Sequence, residues 1–250
     1  MRTNLKDFDY YLSYKSKLEF LEKQNTELLN DGKILQERIP TVKDLLRQNA
    51  LKTTILKYTF GESIEDVKKE FGKVINYANE NWVGLWLLQL KPDQKLYQYT
   101  LSGYDEMLCM LSLGYLLDIV KADFEKLVNL IDKDGVKDFL LEFIIRAKLK
   151  NRTLITNENY QTRFDIPKVF KKLREAIIET DKIEAEKLTK EFIKQDWYKN
   201  HKGQGWYDSH KSKYDIYYGY WSFEAAAIVK IMGLDDSSFR NCDYYPKDLL

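Results

Sequence analysis

The chain is poor in glycine and proline, the two residues that most often mark turns. It contains 11 glycines and 4 prolines in 250 residues, well below the average usage of both. Sandwiches and barrels built from many short strands need frequent turn residues. The scarcity therefore disfavours an all-β fold and favours helix.

Cysteine is also scarce, and no hydrophobic run is long. The 2 cysteines, Cys109 and Cys242, form no CxxC pair and no disulfide framework. The longest apolar runs, 82–90 and 107–117, are shorter than the roughly 18 residues of a membrane span, so we expect buried helices there. The start, residues 1–7, is too charged for a signal peptide. We predict a reduced, cytoplasmic protein with no membrane partner.

Signatures of the common catalytic sites are absent from the sequence. It has no GxxxxGK[ST] phosphate loop, no GxGxxG turn, no GxSxG elbow and no HExxH helix. The 2 histidines, His201 and His210, lie near Asp208 and Asp215, so a metal-dependent enzyme remains one alternative. Because their spacing matches no established ligand pattern, we predict a non-enzyme without metal or cofactor.

Charge is balanced overall but distributed unevenly. The 40 Lys and Arg against 39 Asp and Glu give a net charge of +1, which excludes a strong global field. Residues 146–174 are basic and contain interleaved aromatics, a pattern typical of nucleic-acid contact. The basic residues are Arg146, Lys148, Lys150, Arg152, Arg163, Lys168, Lys171, Lys172 and Arg174. Residues 101–145 are acidic, so three uses stay open: nucleic-acid binding by the basic stretch, a basic partner for the acidic stretch, and pairing of the two or exposure to solvent.

Hydrophobic spacing predicts helix along most of the chain. The predicted helices lie at about 4–29, 33–60, 63–78, 104–120, 121–132, 135–150, 167–180, 181–198 and 214–232. Ser63 and Asp66 have the form of a capping box, and Gly61 and Gly233 stand at helix ends. No stretch shows convincing strand alternation. We predict an all-α fold of eight to ten helices in antiparallel pairs, with an N-terminal domain at 1–120 and a C-terminal domain at 121–250.

Aromatic residues are concentrated near the end of the chain. From residue 197 onward they are Trp197, Tyr198, Trp206, Tyr207, Tyr214, Tyr217, Tyr218, Tyr220, Trp221, Phe223, Phe239, Tyr244 and Tyr245. On a helix over 214–232, one stripe would contain Tyr214, Tyr218 and Trp221, which is typical of a core. The other face would hold Tyr217, Tyr220 and Glu224. Tyrosine and tryptophan beside acids also suit a protein-binding surface.

The C-terminal residues resemble those of a known family. The stretches YYGYWSFEAAA at 217–227, GLDDSSF at 233–239 and YYPKDL at 244–249 are similar to the YxGYWxFExAA, GxDDSxF and YYPxDL pattern of the PoNi immunity proteins. The resemblance implies an all-α, non-catalytic cytoplasmic protein. It also implies that the protein binds and neutralises a PoNe toxin, a DNase delivered between competing bacteria.

The resemblance leads to a candidate set of toxin-binding residues. The set is Asp215, Tyr217, Tyr220, Glu224, Asp235 and Asp236. Acids and aromatics complement the DNA-binding cleft of a nuclease, and the acids of 101–145 can assist. The same motif can instead hold the fold together, and both interpretations stay open. The resemblance implies no direct binding of nucleic acid, and it leaves the identity of the toxin and the choice between monomer and homodimer open.

Overall fold

A computed structural model describes the chain at residues 1–82, 87–91, 94–153, 155 and 166–250. Over these ranges the protein is mainly helical, which confirms the predicted all-α class. The nine helices of eight or more residues in this part are α1 (Phe8–Asn30), α2 (Ile39–Phe60), α3 (Ile64–Asn81), α4 (Leu101–Leu116), α5 (Lys121–Asp134), α6 (Phe139–Lys148), α7 (Lys171–Ile178), α8 (Lys182–Glu191) and α9 (Phe223–Met232). None of the described helices is long and apolar enough to cross a membrane.

The chain divides into two compact units, each made from two stretches of sequence. The first unit is Met1–Val83 with Asp208–Gly219. The second unit is Gly84–Tyr207 with Tyr220–Leu250. The domain division at residues 120 and 121 stays a prediction.

Local chemistry sets the ends of the helices in the first unit. The Ser63 hydroxyl accepts a hydrogen bond from the Asp66 backbone N–H at 3.1 Å, as the capping-box pattern predicts. Gly61 ends α2 with φ 91°, a left-handed conformation that glycine adopts without a Cβ penalty. Pro40 stands in the first turn of α2, where its missing N–H breaks no helical bond.

The core of the first unit lies between α1 and α2. Tyr11, Tyr14 and Leu18 of α1 pack against Leu56 and Phe60 of α2. The rings of Tyr11 and Phe60 are stacked, with centroids 4.8 Å apart. The third helix packs against α2 and buries Val67, Phe71 and Val74. Tyrosines therefore supply much of the buried face of α1.

The segment Asp208–Gly219 is fixed to the first unit by backbone hydrogen bonds. The Tyr10 hydroxyl accepts from the Tyr217 N–H at 2.8 Å and donates to the Tyr217 carbonyl at 3.0 Å. The Thr59 hydroxyl donates to the Tyr218 carbonyl at 2.8 Å. Side chains of α1 and α2 thus take up backbone groups that a helix would use internally.

The predicted helix over 214–232 is wrong in its first half. Helix α9 begins at Phe223, and the residues before it are not helical. Gly219 has φ 130°, which lies outside the helical region. Because Tyr217 and Tyr218 already bond to other helices, the aromatic stripe through Tyr214, Tyr218 and Trp221 does not form.

Helix α4 lies at the centre of the second unit. It packs against α5, α6 and α9 and is buried on most sides, as its nearly continuous apolar sequence predicts. Gly114 allows a close approach from the chain that follows. A Cβ at this position would lie 3.1 Å from the Ile119 side chain and 3.2 Å from that of Phe124.

A two-stranded antiparallel sheet corrects the expectation that the chain has no strand. The strands are Leu87–Lys91 and Gln94–Tyr99, and Leu87 pairs with Tyr99. The predicted buried helix at 82–90 is therefore wrong in its described second half. A short apolar run fits a strand as well as a helix, so its periodicity could not separate the two.

Some of the sequence expectations lie outside the described residues. The turn at Pro92 and Asp93 is one of them. Most of the predicted connection over 151–164 is another, and it contains Arg163 and the aromatics Tyr160 and Phe164.

Candidate functional site

Three of the six predicted toxin-binding residues are buried. Tyr217 is 1% exposed, Tyr220 is 4% exposed and Glu224 is 6% exposed. The Ser222 hydroxyl donates to the Glu224 carboxyl at 2.8 Å, and burial raises the pKa of this carboxyl to about 7. These three side chains therefore lie largely inside the described structure.

Tyr220 belongs to an aromatic cluster in the second unit. The members of this cluster are Trp197, Tyr198, Trp206, Tyr207, Tyr220 and Tyr244. The rings of Tyr198 and Tyr244 are stacked 4.9 Å apart, and the Tyr244 carbonyl accepts from the Ser222 N–H at 2.8 Å. Residues from the YxGYWxFExAA and YYPxDL segments of the sequence pattern therefore meet in one packed cluster.

The other three residues of the predicted set present carboxylates with different surroundings. Asp215 is half-buried in the first unit, and its backbone carbonyl accepts from the Lys17 ammonium at 3.2 Å. Asp236 forms an ion pair with Arg240 at 2.8 Å. Asp235 is exposed and accepts two hydrogen bonds from Ser237, which lower its pKa.

The six residues are divided between the two units. Asp215 and Tyr217 belong to the first unit, and the other four belong to the second. Two of the accessible carboxylates, Asp215 and Asp235, lie in segments without regular helix or strand. The sequence analysis predicted that Asp215 lies on a helix. Because the segment is not helical, helical spacing could not predict which residues surround Asp215.

The two histidines belong to different units. His201 is buried in the second unit, whereas His210 belongs to the first unit. Both ring nitrogens of His201 face acceptors, since Nδ1 meets the Trp197 carbonyl and Nε2 lies 3.2 Å from the Asp105 carboxylate. Such a ring donates at both positions only when it is protonated. Among the described residues, no three His, Cys, Asp or Glu side chains are placed to hold a metal ion.

Electrostatics agrees with a charged His201. Burial lowers the pKa of His201, but the Asp105 carboxylate, the Trp197 carbonyl and the Glu224 carboxyl together raise it by more, so the net direction is upward. The Asp105–His201 pair is therefore an internal ion pair of the second unit. His210 differs, because burial lowers its pKa.

A second buried polar network is centred on Asp138. Its carboxylate caps α6 and also accepts from the Tyr104 hydroxyl at 2.6 Å and from the Arg174 guanidinium at 2.8 Å. Arg174 and Asp138 are 6% and 0% exposed in their side chains. Arg174 is the last cation of the basic stretch, and its side chain is buried and paired with Asp138.

The basic stretch and the acidic stretch are joined by several other ion pairs. Lys148 bonds to Asp118 at 2.7 Å, and Arg152 bonds to both Asp132 and Glu142 at 2.7 and 2.8 Å. Three uses of the two stretches were left open by the sequence. The structure shows these side chains in one of them, the pairing of basic with acidic residues. It leaves fewer cations for nucleic-acid phosphates than the composition indicated.

A surface that sequence reasoning missed lies beside the Gly233 turn. The turn between α7 and α8 is held there, because the Lys182 ammonium donates to the Gly233 carbonyl at 3.4 Å and the Asp235 N–H donates to the Glu186 carboxylate at 2.8 Å. The acids of this turn were visible in the sequence. Their proximity to Asp235 was not, because the two segments are about fifty residues apart in the chain.

An open groove of about 410 Å³ also lies in the second unit, next to the turn that contains Asp235. Its lining includes Lys194, Ser238, Asn241, Cys242 and Asp243. The lining combines single charges of both signs with neutral polar groups, which does not define a particular ligand.

The protein is mainly helical and divides into two units, and the second unit contains the buried pairs Asp138–Arg174 and Asp105–His201. A family model described as PoNe immunity protein (PoNi), N-terminal, matches residues 3–129, and one described as PoNe immunity proteins (PoNi), C-terminal, matches residues 136–249. The chain therefore belongs to the PoNe immunity protein family. No curated protein and no solved structure matches it.

Proposed function

We propose that this protein binds a cognate antibacterial PoNe-type DNase toxin in the cytoplasm and neutralises it by direct contact. Membership of the immunity family over residues 3–129 and 136–249 carries the proposal. In this proposal the protein performs no catalysis and uses no metal or cofactor.

A rigid surface suits this task. Sub-nanomolar affinity corresponds to a net binding free energy of about 12 kcal/mol or more. The contacts must supply this in addition to the entropy lost on association and on side-chain ordering. The buried networks around Asp138 and His201 join separate segments of the second unit by hydrogen bonds. Side chains that are ordered before binding lose less entropy on binding.

We propose different roles for the six candidate residues. The accessible carboxylates of Asp215 and Asp235 contact the toxin, and Asp236 assists although Arg240 shares its charge. Tyr217, Tyr220 and Glu224 act indirectly, because their burial supports the surface on which the contacts lie.

Co-expression tests the proposal. The toxin domain encoded next to this chain's gene is induced with and without the protein, and growth and co-purification are scored together. Rescue with a stable complex is expected. A folded protein that gives neither rescue nor a complex would contradict the proposal.

Charge reversal then tests the contact residues. Asp215→Lys and Asp235→Lys are each expected to weaken binding at least about tenfold. Glu80→Lys, at an exposed position of α3, is the matched control and should bind like the wild type. Wild-type affinity in both aspartate variants would exclude these two carboxylates from the interface.

A further inference from the structure

The turn between α7 and α8 and the turn after α9 form one surface, which we call the acidic corner. It comprises residues 178–187 and 233–237. The two hydrogen bonds from Lys182 to Gly233 and from Asp235 to Glu186 join its two segments.

Two large apolar side chains project from the acidic corner into solvent. Ile183 is 77% exposed and Ile178 is 56% exposed. Ile178 is the last residue of α7 and Ile183 lies in the first turn of α8, so the two flank one short connection. Exposed apolar residues with a polar rim are typical of protein-binding surfaces.

The acidic corner has a strong negative charge. Its acids are Glu179, Asp181, Glu184, Glu186, Asp235 and Asp236, and its cations are Lys182 and Lys187. Six carboxylates and two ammonium groups give a net charge of −4, or −3 with Arg240, which pairs with Asp236, whereas the whole chain has +1. This local charge is the complement of a surface rich in lysine and arginine.

Neutral donors hold most of these carboxylates in place. Glu179 and Asp181 each accept from two backbone N–H groups at distances of 2.7 to 3.4 Å. Glu186 accepts from a backbone N–H, and Asp235 accepts from a backbone N–H and a hydroxyl. None of these four forms an ion pair with a cation of the described chain, so their charge is oriented and not neutralised.

The charge argues against a second copy of this chain as the occupant. Two corners facing each other across a two-fold axis would bring like charges together, which is unfavourable. A nuclease has the opposite property, because it must bind DNA phosphates with lysine and arginine. The apolar pair then supplies contact area beneath the charged rim.

We propose that the acidic corner is the docking surface for the basic, DNA-binding face of the toxin. This inference rests on the proposed function and adds the α7–α8 turn to the contacts. Ile178 and Ile183 are the apolar anchors. Glu179, Asp181 and Asp235 attract the basic residues of the toxin.

Affinity of the full-length protein for the purified toxin domain tests the apolar anchors. The double variant Ile178→Arg with Ile183→Arg is expected to bind at least about tenfold more weakly, because it removes apolar area and adds like charge facing a basic partner. Val120→Arg is the matched control, since Val120 is 64% exposed in the same unit but lies outside the corner. It should bind like the wild type.

A second pair of variants tests the charge while preserving the helix cap. Glu179→Gln with Asp181→Asn removes two charges and keeps the acceptors, since asparagine caps helices as well as aspartate does. The association rate at low salt should fall several-fold. Glu37→Gln with Glu80→Gln removes the same charge from exposed positions of the first unit and should leave the rate unchanged.

The outcomes separate this inference from the proposed function. If the wild type neither binds nor protects, the proposed function fails. If the wild type binds and both corner variants bind equally well, the corner is not the docking surface, although immunity by binding stands. A wild-type dimer that becomes a monomer in the isoleucine variant would also overturn the inference, since the corner would then be a self-interface.

Discussion

Single buried groups determine how the second unit responds to pH. Glu224 and His201 lie in the same region, and the charge of each affects the pKa of the other. Burial raises the pKa of Glu224 from 4.5 to about 7, and the pKa of His201 is raised because Asp105, the Trp197 carbonyl and Glu224 together outweigh burial. Both groups therefore bind protons more tightly in the folded state than in the unfolded state.

We predict that Glu224→Gln flattens the pH dependence of stability. The stabilisation from Glu224 protonation is complete below pH 4.5 and is lost as the pH rises through about 7. Glutamine resembles the protonated acid, so the wild type should lose about 1–3 kcal/mol relative to the variant between pH 5 and 8. Urea unfolding at several pH values measures this difference.

The exposed Glu80→Gln variant is the control for that measurement, and it should keep the wild-type pH dependence. His201 adds its own pH dependence, because its stabilisation is complete below pH 6.5 and is lost as the pH rises through its raised pKa, and removing the Glu224 charge lowers that pKa. A Glu224→Gln variant with an unchanged slope would show that Glu224 is ionised throughout the range.

At the scale of elements, backbone conformation decides where α9 begins. Gly219 has φ 130°. It follows Tyr217 and Tyr218, whose backbone groups are hydrogen-bonded to side chains of α1 and α2, and it precedes the start of α9 at Phe223. A side chain is strained at this φ. The glycine therefore allows the chain to leave the first unit and enter a helix of the second.

We predict that Gly219→Ala destabilises the protein by about 1–3 kcal/mol, because alanine cannot adopt this φ without strain. Gly203→Ala is the matched control, since a Cβ at that position would meet no atom within 4 Å and the φ of Gly203 is not positive. It should change the free energy of unfolding by less than about 1 kcal/mol. Chemical denaturation followed by circular dichroism compares the two, and equal stabilities would remove Gly219 as the cause of the helix start.

Sequence patterns predicted the elements that rest on local chemistry. The capping box at Ser63, the glycine stops at Gly61 and Gly233 and the apolar α4 all have the expected form. The start of α9 was not predictable, because the bonds that occupy Tyr217 and Tyr218 come from residues far away in the chain. The 87–99 strands were missed because short apolar runs lack a diagnostic period.

The candidate site was less predictable than the fold. Helical spacing placed Tyr217, Tyr220 and Glu224 on an accessible face, but packing buries all three. The acidic corner depends on contact between residues near 180 and residues near 235, and no sequence period reports such a contact. Local rules therefore identified the acids but not their neighbours.

At the scale of the whole molecule, the ion pairs between residues 101–145 and 146–174 bear on nucleic-acid binding. The net charge is only +1, and three of the nine cations of the basic stretch, Lys148, Arg152 and Arg174, are paired to carboxylates, which weakens their attraction for phosphates. We predict that the wild type binds random duplex DNA with a Kd no tighter than about 10⁻⁴ M at physiological salt. Fluorescence anisotropy over a range of salt concentrations measures this affinity.

A variant that removes carboxylate partners of Lys148 and Arg152 is expected to bind DNA and therefore complements this experiment. Asp118→Asn with Asp132→Asn removes the partner of Lys148 and one partner of Arg152, so DNA binding should become tighter and more dependent on salt. Glu37→Gln with Glu80→Gln makes the same change in net charge at exposed positions of the first unit and should bind DNA as weakly as the wild type. Tight, steeply salt-dependent binding by the wild type itself would mean that the basic stretch contacts nucleic acid despite its ion pairs.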